Sequence, residues 1–414
     1  MSQRSRLITS LLSVAAIAAT VVLLVIGAPG PGPAVASSCG ASAESTYLTT
    51  AFEVALRISA GEHNGTTVRR DVHTIEADRA LANAVAAQDV AKVHSEVLAL
   101  VYNHQHIVRL RVLRAGHLLD DYGGPLVLAP VTGSLRVGGH VVGTFVMSVQ
   151  DDLGYRLLVK RLIGAHVVMR YRGQTIMSGI DVGSRALPDR GSVALGGVAY
   201  LVASFTTTRF PDGQLRISLL LARPALALAH SGCAQIRGDV LAAIARRAYY
   251  EAQTGQSFIG PPLNALAHAT ALAAALAAGD DAGAAQIVKT MVAAGDFARL
   301  RVVAGSRVVA DAGVSIPLLA PLTRPIVDAG GHVVGQAVFA VQNAHGYADL
   351  AHALLSAPVL VRSASRQLAG TFAGPATLPP SGPLTYQGVH YEVASFAAVA
   401  FPSTAVRIYV LAPG

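Results

Sequence analysis

Residues 138–155 read GGHVVGTFVMSVQDDLGY, and residues 330–347 read GGHVVGQAVFAVQNAHGY. Eleven of the eighteen positions are identical, with no gap. Each copy opens on a Gly-Gly pair suited to a turn. An alternating apolar run follows, which marks a strand with one buried face. Each copy then ends in a Gly-Tyr segment that reads as the start of a short helix. The differences fall at the strand-to-helix junction, where Asp151 and Asp152 are replaced by Asn343 and Ala344.

The match extends well beyond this phrase. RLRVLRAGHLLDDYGG from Arg109 pairs with RLRVVAGSRVVADAG from Arg299, and HVVMR from His166 pairs with PVLVR from Pro358. GVAYLVASF from Gly197 pairs with GVHYEVASF from Gly388, and the spacing stays near 190 residues throughout. A period this long indicates duplicated domains and not a solenoid of small units. The repeats are expected at 39–230 and 231–414. Each begins with amphipathic helical patterns, for which Asp89 and Asp281 are the expected N-caps of the last helix. A hairpin turning at Ala-Gly follows, then a second at Gly138-Gly139, a short helix capped by Asp151 or Asp152, and closing strands. The pattern predicts an α+β fold: in each repeat, N-terminal helices followed by an antiparallel sheet.

The chain has 414 residues, 52% of them hydrophobic and 14% charged, a composition that excludes a disordered chain and suits aliphatic cores. The net charge of +8 comes almost entirely from Arg. These Arg residues are scattered through strand-like segments and do not form a stripe with interleaved aromatics, so no nucleic-acid partner is expected. Residues 1–36 pair Arg4 and Arg6 with an apolar run long enough to span a bilayer. Three readings stand: an export signal cleaved after Ala34-Val35-Ala36, an uncleaved signal anchor holding the chain to the membrane, or a lipoprotein acylated at Cys39, for which ASSC lacks the usual aliphatic residue three places before the Cys. All three place the rest of the chain outside the cytoplasm, secreted or anchored. The two cysteines, Cys39 and Cys233, each precede the helical pattern that opens a repeat. In an oxidising compartment they are expected to form a disulfide. The alternatives are free thiols, or a lipidated Cys39 with Cys233 buried.

This order of long helical N-terminus, hairpin, strand pair, short helix and closing strands resembles the extracytoplasmic PAS-like sensor domains known as Cache domains, once in each repeat. The resemblance implies a sheet whose covering loops enclose a small-molecule pocket, with amino acids, carboxylates or similar metabolites as ligands. The Trp of the amino-acid-binding subgroup's signature is absent, so no ligand residue is carried over from it. No transmitter module follows the second repeat, so the resemblance implies a binding protein that works through a protein partner.

Several residues are candidates for ligand binding on chemical grounds. Asp151 and Asp152 with Tyr155 could hold a cationic group, or could cap the helix while the Tyr packs back on the sheet; Tyr347 matches Tyr155. Arg109, Arg111, Arg170, Arg299 and Arg362 sit on predicted strands, where a guanidinium facing a pocket would fork a carboxylate. Asp121 and Asp311 fall where a turn is expected. His104 and His106 could ligate a metal, but the sequence places no acid beside them. Nucleophile-elbow, P-loop and dinucleotide motifs are missing, so neither enzyme activity nor a cofactor is expected. The function expected is that of an exported or membrane-anchored small-molecule sensor-like protein. The alternative is an extracytoplasmic structural or interaction module without a small ligand.

Overall fold

In the computed structural model, residues 43–104, 106–125, 127–223, 232–364 and 366–414 are described. The N-terminal segment and Cys39 lie outside the described residues, and with them the anchor, cleavage and disulfide expectations. The chain divides into two compact units, Ser37–Ser231 and Gly232–Gly414. Both are α+β with antiparallel sheets. Among the described residues no helix is long and apolar enough to cross a membrane.

The first unit opens with a 22-residue helix, α1 (Ala43–Asn64). Its apolar face, with Leu48, Val54, Ala55 and Ile58, is buried. The long helical stretch that follows is broken in two, α2 (Thr66–Glu76) and α3 (Arg79–Ala87), because Asp78 caps a new helix by accepting from Leu81 N–H. Asp89 caps α4 (Val90–Asn103) as its position implied. Strands β1 (Arg109–Arg114), β2 (His117–Gly123), β4 (Val131–Val137) and β5 (His140–Ser148) form a sheet of order β2-β1-β5-β4. A short pair, β3 (Val127–Leu128) with β6 (Gln150–Asp151), leads into α5 (Asp152–Leu162). Strands β7 (His166–Tyr171), β8 (Gln174–Ser178), β9 (Arg190–Leu195), β10 (Val198–Thr208) and β11 (Gln214–Ala222) then form a second sheet of order β8-β7-β11-β10-β9.

The second unit repeats this plan. It has α6 (Cys233–Thr254), α7 (Gln256–Ala267), α8 (Thr270–Ala277) and α9 (Asp281–Ala293). The first sheet contains β12 (Arg299–Ala304), β13 (Arg307–Gly313), β15 (Leu322–Val327) and β16 (Val333–Ala340), in the order β13-β12-β16-β15. After β14 (Leu318–Leu319) and β17 (Gln342–Asn343) comes α10 (Ala344–Leu355). The second sheet then contains β18 (Val359–Ser363), β19 (Arg366–Gly370), β20 (Gly382–Tyr386), β21 (Val389–Ala400) and β22 (Thr404–Pro413), and β14 and β17 join it through β21 to make seven strands. The cap of α9 is Asp280, not Asp281. Asp280 has a non-helical ψ of 82° and accepts from Gly283 N–H, whereas Asp281 is already inside the first turn.

Each repeat therefore carries two antiparallel sheets where the strand pattern alone suggested one. The reason lies in α5 and α10. Each carries the chain off the first sheet, and the strands beyond it pair with one another and close a separate core, which in the second unit β14 and β17 extend through β21. In the first unit Leu110, Val112, Phe145 and Met147 fill one cluster, and Val168, Val202 and Leu220 fill another.

The pairing between β4 and β5 gives a sharp packing test. Phe145 is fully buried opposite Gly133, and a Cβ at Gly133 would lie 2.2 Å from its ring. The second repeat has Arg324 opposite Ala337 there, so the bulk has moved to the other strand. Gly133→Ala is expected to cost about 1–3 kcal/mol through overpacking, measured by denaturant unfolding, and Gly133→Ala combined with Phe145→Ala should recover the overpacking share of that loss.

Candidate functional site

The residues singled out from the sequence separate into three places. Arg109 and Arg111 lie side by side on β1, and both grip Asp121 on β2. Arg109 donates to it at 2.7 and 3.0 Å, and Arg111 at 2.9 and 2.5 Å. Both guanidiniums also stack on Phe210, at 5.0 and 5.8 Å from its ring centre. The second repeat copies this with Arg299 and Arg301 on Asp311 and over Phe401. Asp121 and Asp311 are thus strand residues and not turn residues, because β2 and β13 run straight through them. The carboxylate these arginines fork is supplied by the chain itself.

Arg170 donates to Thr175 Oγ1 at 3.2 Å and to the Arg185 carbonyl. Arg362 is buried and donates to the Ala376 carbonyl at 2.7 Å and to that of Pro375. Both use their forks to pin the loop that follows the β7–β8 or β18–β19 hairpin.

The third place is the junction around α5. Asp151 is its N-cap and accepts from Gly154 N–H at 2.5 Å. Asn343 caps α10 in the same way. Asp152 is 8% exposed, and its Oδ2 has no hydrogen-bond partner. Burial pushes its pKa up, and the charge of Asp151 adds to this. Tyr155 and Tyr347 pack on the long first helix of their repeat and not back on a sheet. Tyr155 donates to the Ala55 carbonyl at 3.3 Å, and Tyr347 to the Ala245 carbonyl at 2.8 Å. Burial drives both phenol pKa values well above their usual range.

One turn along α5 stands Arg156, which borders a solvent-open groove of about 490 Å³. The opposite wall is the end of β8 and its following loop: Thr175, Ser178, Gly179, Asp181 and Gly183. The Arg156 Nε is buried without a hydrogen-bond partner. Asp181 is held in a tight turn by Gly183 N–H at 2.9 Å. Beside the groove His166 donates through Nδ1 to the Gly179 carbonyl at 2.9 Å, which leaves Nε2 to accept from Lys160 at 3.1 Å. The groove thus joins a guanidinium, a carboxylate and two hydroxyls.

At a fixed offset of 192 residues, the second repeat has Ala344 for Asp152, Ala348 for Arg156, Pro358 for His166 and Ala373 for Asp181. Ala344 and Ala348 are fully buried. Phe372, at the position of Ile180, packs on the apolar cluster around Leu360, Val393 and Leu411. The charges of Arg156 and Asp181 in one copy are thus alanines in the other, while Gln367 takes the place of Thr175 and donates to the Phe372 carbonyl. Reading the sequence for single motifs missed Arg156; comparing the two copies position by position exposes it.

His104 and His106 also gain a neighbour that the sequence did not show. Asp71 on α2 is 3% exposed, with Arg70 Nε 3.5 Å from its Oδ1 and an unpartnered Oδ2. Burial pushes the pKa of Asp71 up, against the charges of Arg70, His106 and His104. Among the described residues no three ligating side chains converge to hold a metal ion. Compared with known protein families and with curated proteins, the chain matches no family model and no curated protein.

Proposed function

We propose that this chain is an extracytoplasmic small-molecule-binding protein, built from duplicated Cache-like domains, in which the first repeat binds and the second is scaffold. The observation that supports this reading is the groove at Arg156, whose charged groups are replaced together by apolar residues in the second copy. A volume of about 490 Å³ suits a small metabolite. A guanidinium with an unpaired, desolvated Nε is a natural partner for a carboxylate. Asp181 and the hydroxyls of Thr175 and Ser178 would orient the remainder of such a ligand. Capture of a ligand between α5 and the β8 loop would bias the helix that Tyr155 ties to α1.

The test is a thermal-shift screen of the exported chain against organic acids, amino acids and amines. A ligand at a hundredfold excess over Kd should stabilise the native state by about 2.7 kcal/mol, and Arg156→Ala should abolish the shift. A flat response across the library rejects the reading. It would favour the alternative of an interaction module, for which Leu118, Val141, Val308 and Val333 are the exposed apolar side chains at matching hairpin ends of the two repeats.

A further inference from the structure

We propose that His94, Tyr102, Asp120 and Tyr122 form a surface site for a quaternary ammonium group, carried by the first repeat and absent from the second. The site shares no residue with the Arg156 groove and stands whether or not that groove binds.

His94 and Tyr102 stand on α4, and Asp120 and Tyr122 stand on β2, the strand against which α4 packs. The four side chains meet on the flank between the two elements. His94 Nδ1 lies 3.2 and 3.3 Å from the two Asp120 oxygens. The hydroxyls of Tyr102 and Tyr122 lie 2.5 Å apart. The three rings follow one another across the surface. Tyr102 and Tyr122 have centres 5.8 Å apart and are tilted by 47°, and His94 meets Tyr122 edge-on at 6.3 Å. Tyr102 is 71% exposed, and the His94 side chain 51%.

The second repeat shows that the fold does not need this cluster. On the strand, Tyr122 and Asp120 oppose Leu110 and Val112, and in the same register Ala312 and Ala310 oppose Leu300 and Val302. On the helix, the offset of 191 residues that relates the caps Asp89 and Asp280 turns His94 and Tyr102 into Ala285 and Ala293. All four side chains are thus alanines in the second copy. Ala310 is buried there, and Ala285 and Ala312 pack against the apolar cluster beneath. A tyrosine as exposed as Tyr102 gains little from burial, so its ring is free for an outside contact.

The chemistry on offer selects the ligand. The imidazole Nδ1–H is committed to Asp120, and one phenol hydrogen is spent on the other hydroxyl. The patch therefore presents mainly acceptors and ring faces, and ring faces attract cations. Among the described residues the ion-pair partner of Asp120 is His94, with no Lys or Arg beside it. A guanidinium prefers a free carboxylate fork and a flat stack. Here both Asp120 oxygens face the imidazole, and the rings are set at angles to one another. A quaternary ammonium is round and donates no hydrogen bond. It can touch several tilted rings while the carboxylate balances its charge.

The test is a titration of the full chain with tetramethylammonium chloride at constant ionic strength, followed by NMR of carbon-13-labelled tyrosine rings. Saturable shifts are expected at Tyr102 and Tyr122, with a Kd of about 1–10 mM for so open a site. Tyr102→Ala and Asp120→Asn should each weaken binding about three- to fivefold. The unchanged ring signals of the buried Tyr155 and Tyr347 would show that both variants are folded. tert-Butanol, an uncharged group of similar size, should give no saturable shift, and this comparison needs no variant. Equal binding of tert-butanol, undiminished binding in both variants, or no shift at Tyr102 and Tyr122 would overturn the site. Where tetramethylammonium binds, phosphatidylcholine vesicles identify the source of the group. Vesicle retention that Tyr102→Ala abolishes marks a lipid headgroup. Retention unaffected by that substitution, or none, marks a free cation.

Discussion

Asp121→Asn is expected to destabilise the first unit by about 2–3 kcal/mol. The carboxylate takes four hydrogen bonds from Arg109 and Arg111, and its side chain is 12% exposed. Asparagine would turn an NH2 group toward two guanidiniums and leave both charges half-buried without a counter-ion. The stacking of both on Phe210 makes the loss larger than that of one strand pair. Phe210 belongs to the connection between β10 and β11, so the clamp holds the second sheet against the first. Asp311→Asn should do the same in the second unit, because its ring of contacts is a copy. The lesions share no partner, so their costs should add within about 0.5 kcal/mol. Urea unfolding that resolves the two units would show each variant shifting its own transition.

The same clamp carries a pH signature. Burial pushes the Asp121 pKa up, but the hydrogen bonds and charges of Arg109 and Arg111 outweigh it and hold the carboxyl below its ordinary value. A depressed folded pKa contributes stability above the unfolded value that is lost as pH falls through the folded one. The difference between the unaltered chain and Asp121→Asn should therefore be full at neutral pH and close at pH values below about 4. A difference that persists unchanged at low pH would show that the clamp acts by packing and not by charge.

Tyr347→Ala carries the other large expected effect, about 3–5 kcal/mol. The ring is fully buried and meets Tyr249 edge-on at 6.3 Å, and Tyr249 in turn meets Phe396. Tyr249 also bonds both backbone groups of Val399, so the cavity would open between α6 and β21. Tyr347→Phe keeps the ring and should cost only about 1 kcal/mol for the lost hydroxyl bond. Tyr155→Phe should cost less still, since its bond to Ala55 is longer, 3.3 Å against 2.8 Å. If Tyr347→Phe cost as much as Tyr347→Ala, the bond and not the buried ring would be the anchor.

Much of the first level of organisation was legible residue by residue. The Gly-Gly turn, the alternation after it and the acid before the short helix are local signals. Turns at Ala115-Gly116 and Gly138-Gly139 and the Asp151 cap depend on neighbours in the chain, and all three are found where the pattern puts them. Asp121 was misread for the complementary reason. An Asp near a hairpin resembles a turn residue until the strand across from it is known to carry two arginines on the same face. Tyr155 was expected on a sheet, yet it packs on a helix one hundred residues earlier in the chain.

The duplication, the α+β class and the caps at Asp89 and Asp151 were determined by the sequence alone, because they rest on short-range sterics, hydrogen bonding and hydrophobic periodicity. The division of each repeat into two sheets, the Arg-Asp-Phe clamp and the burial of Asp152 were decided only by the tertiary structure. They depend on which faces meet after α5 turns the chain, and on the loss of water around groups far apart in sequence.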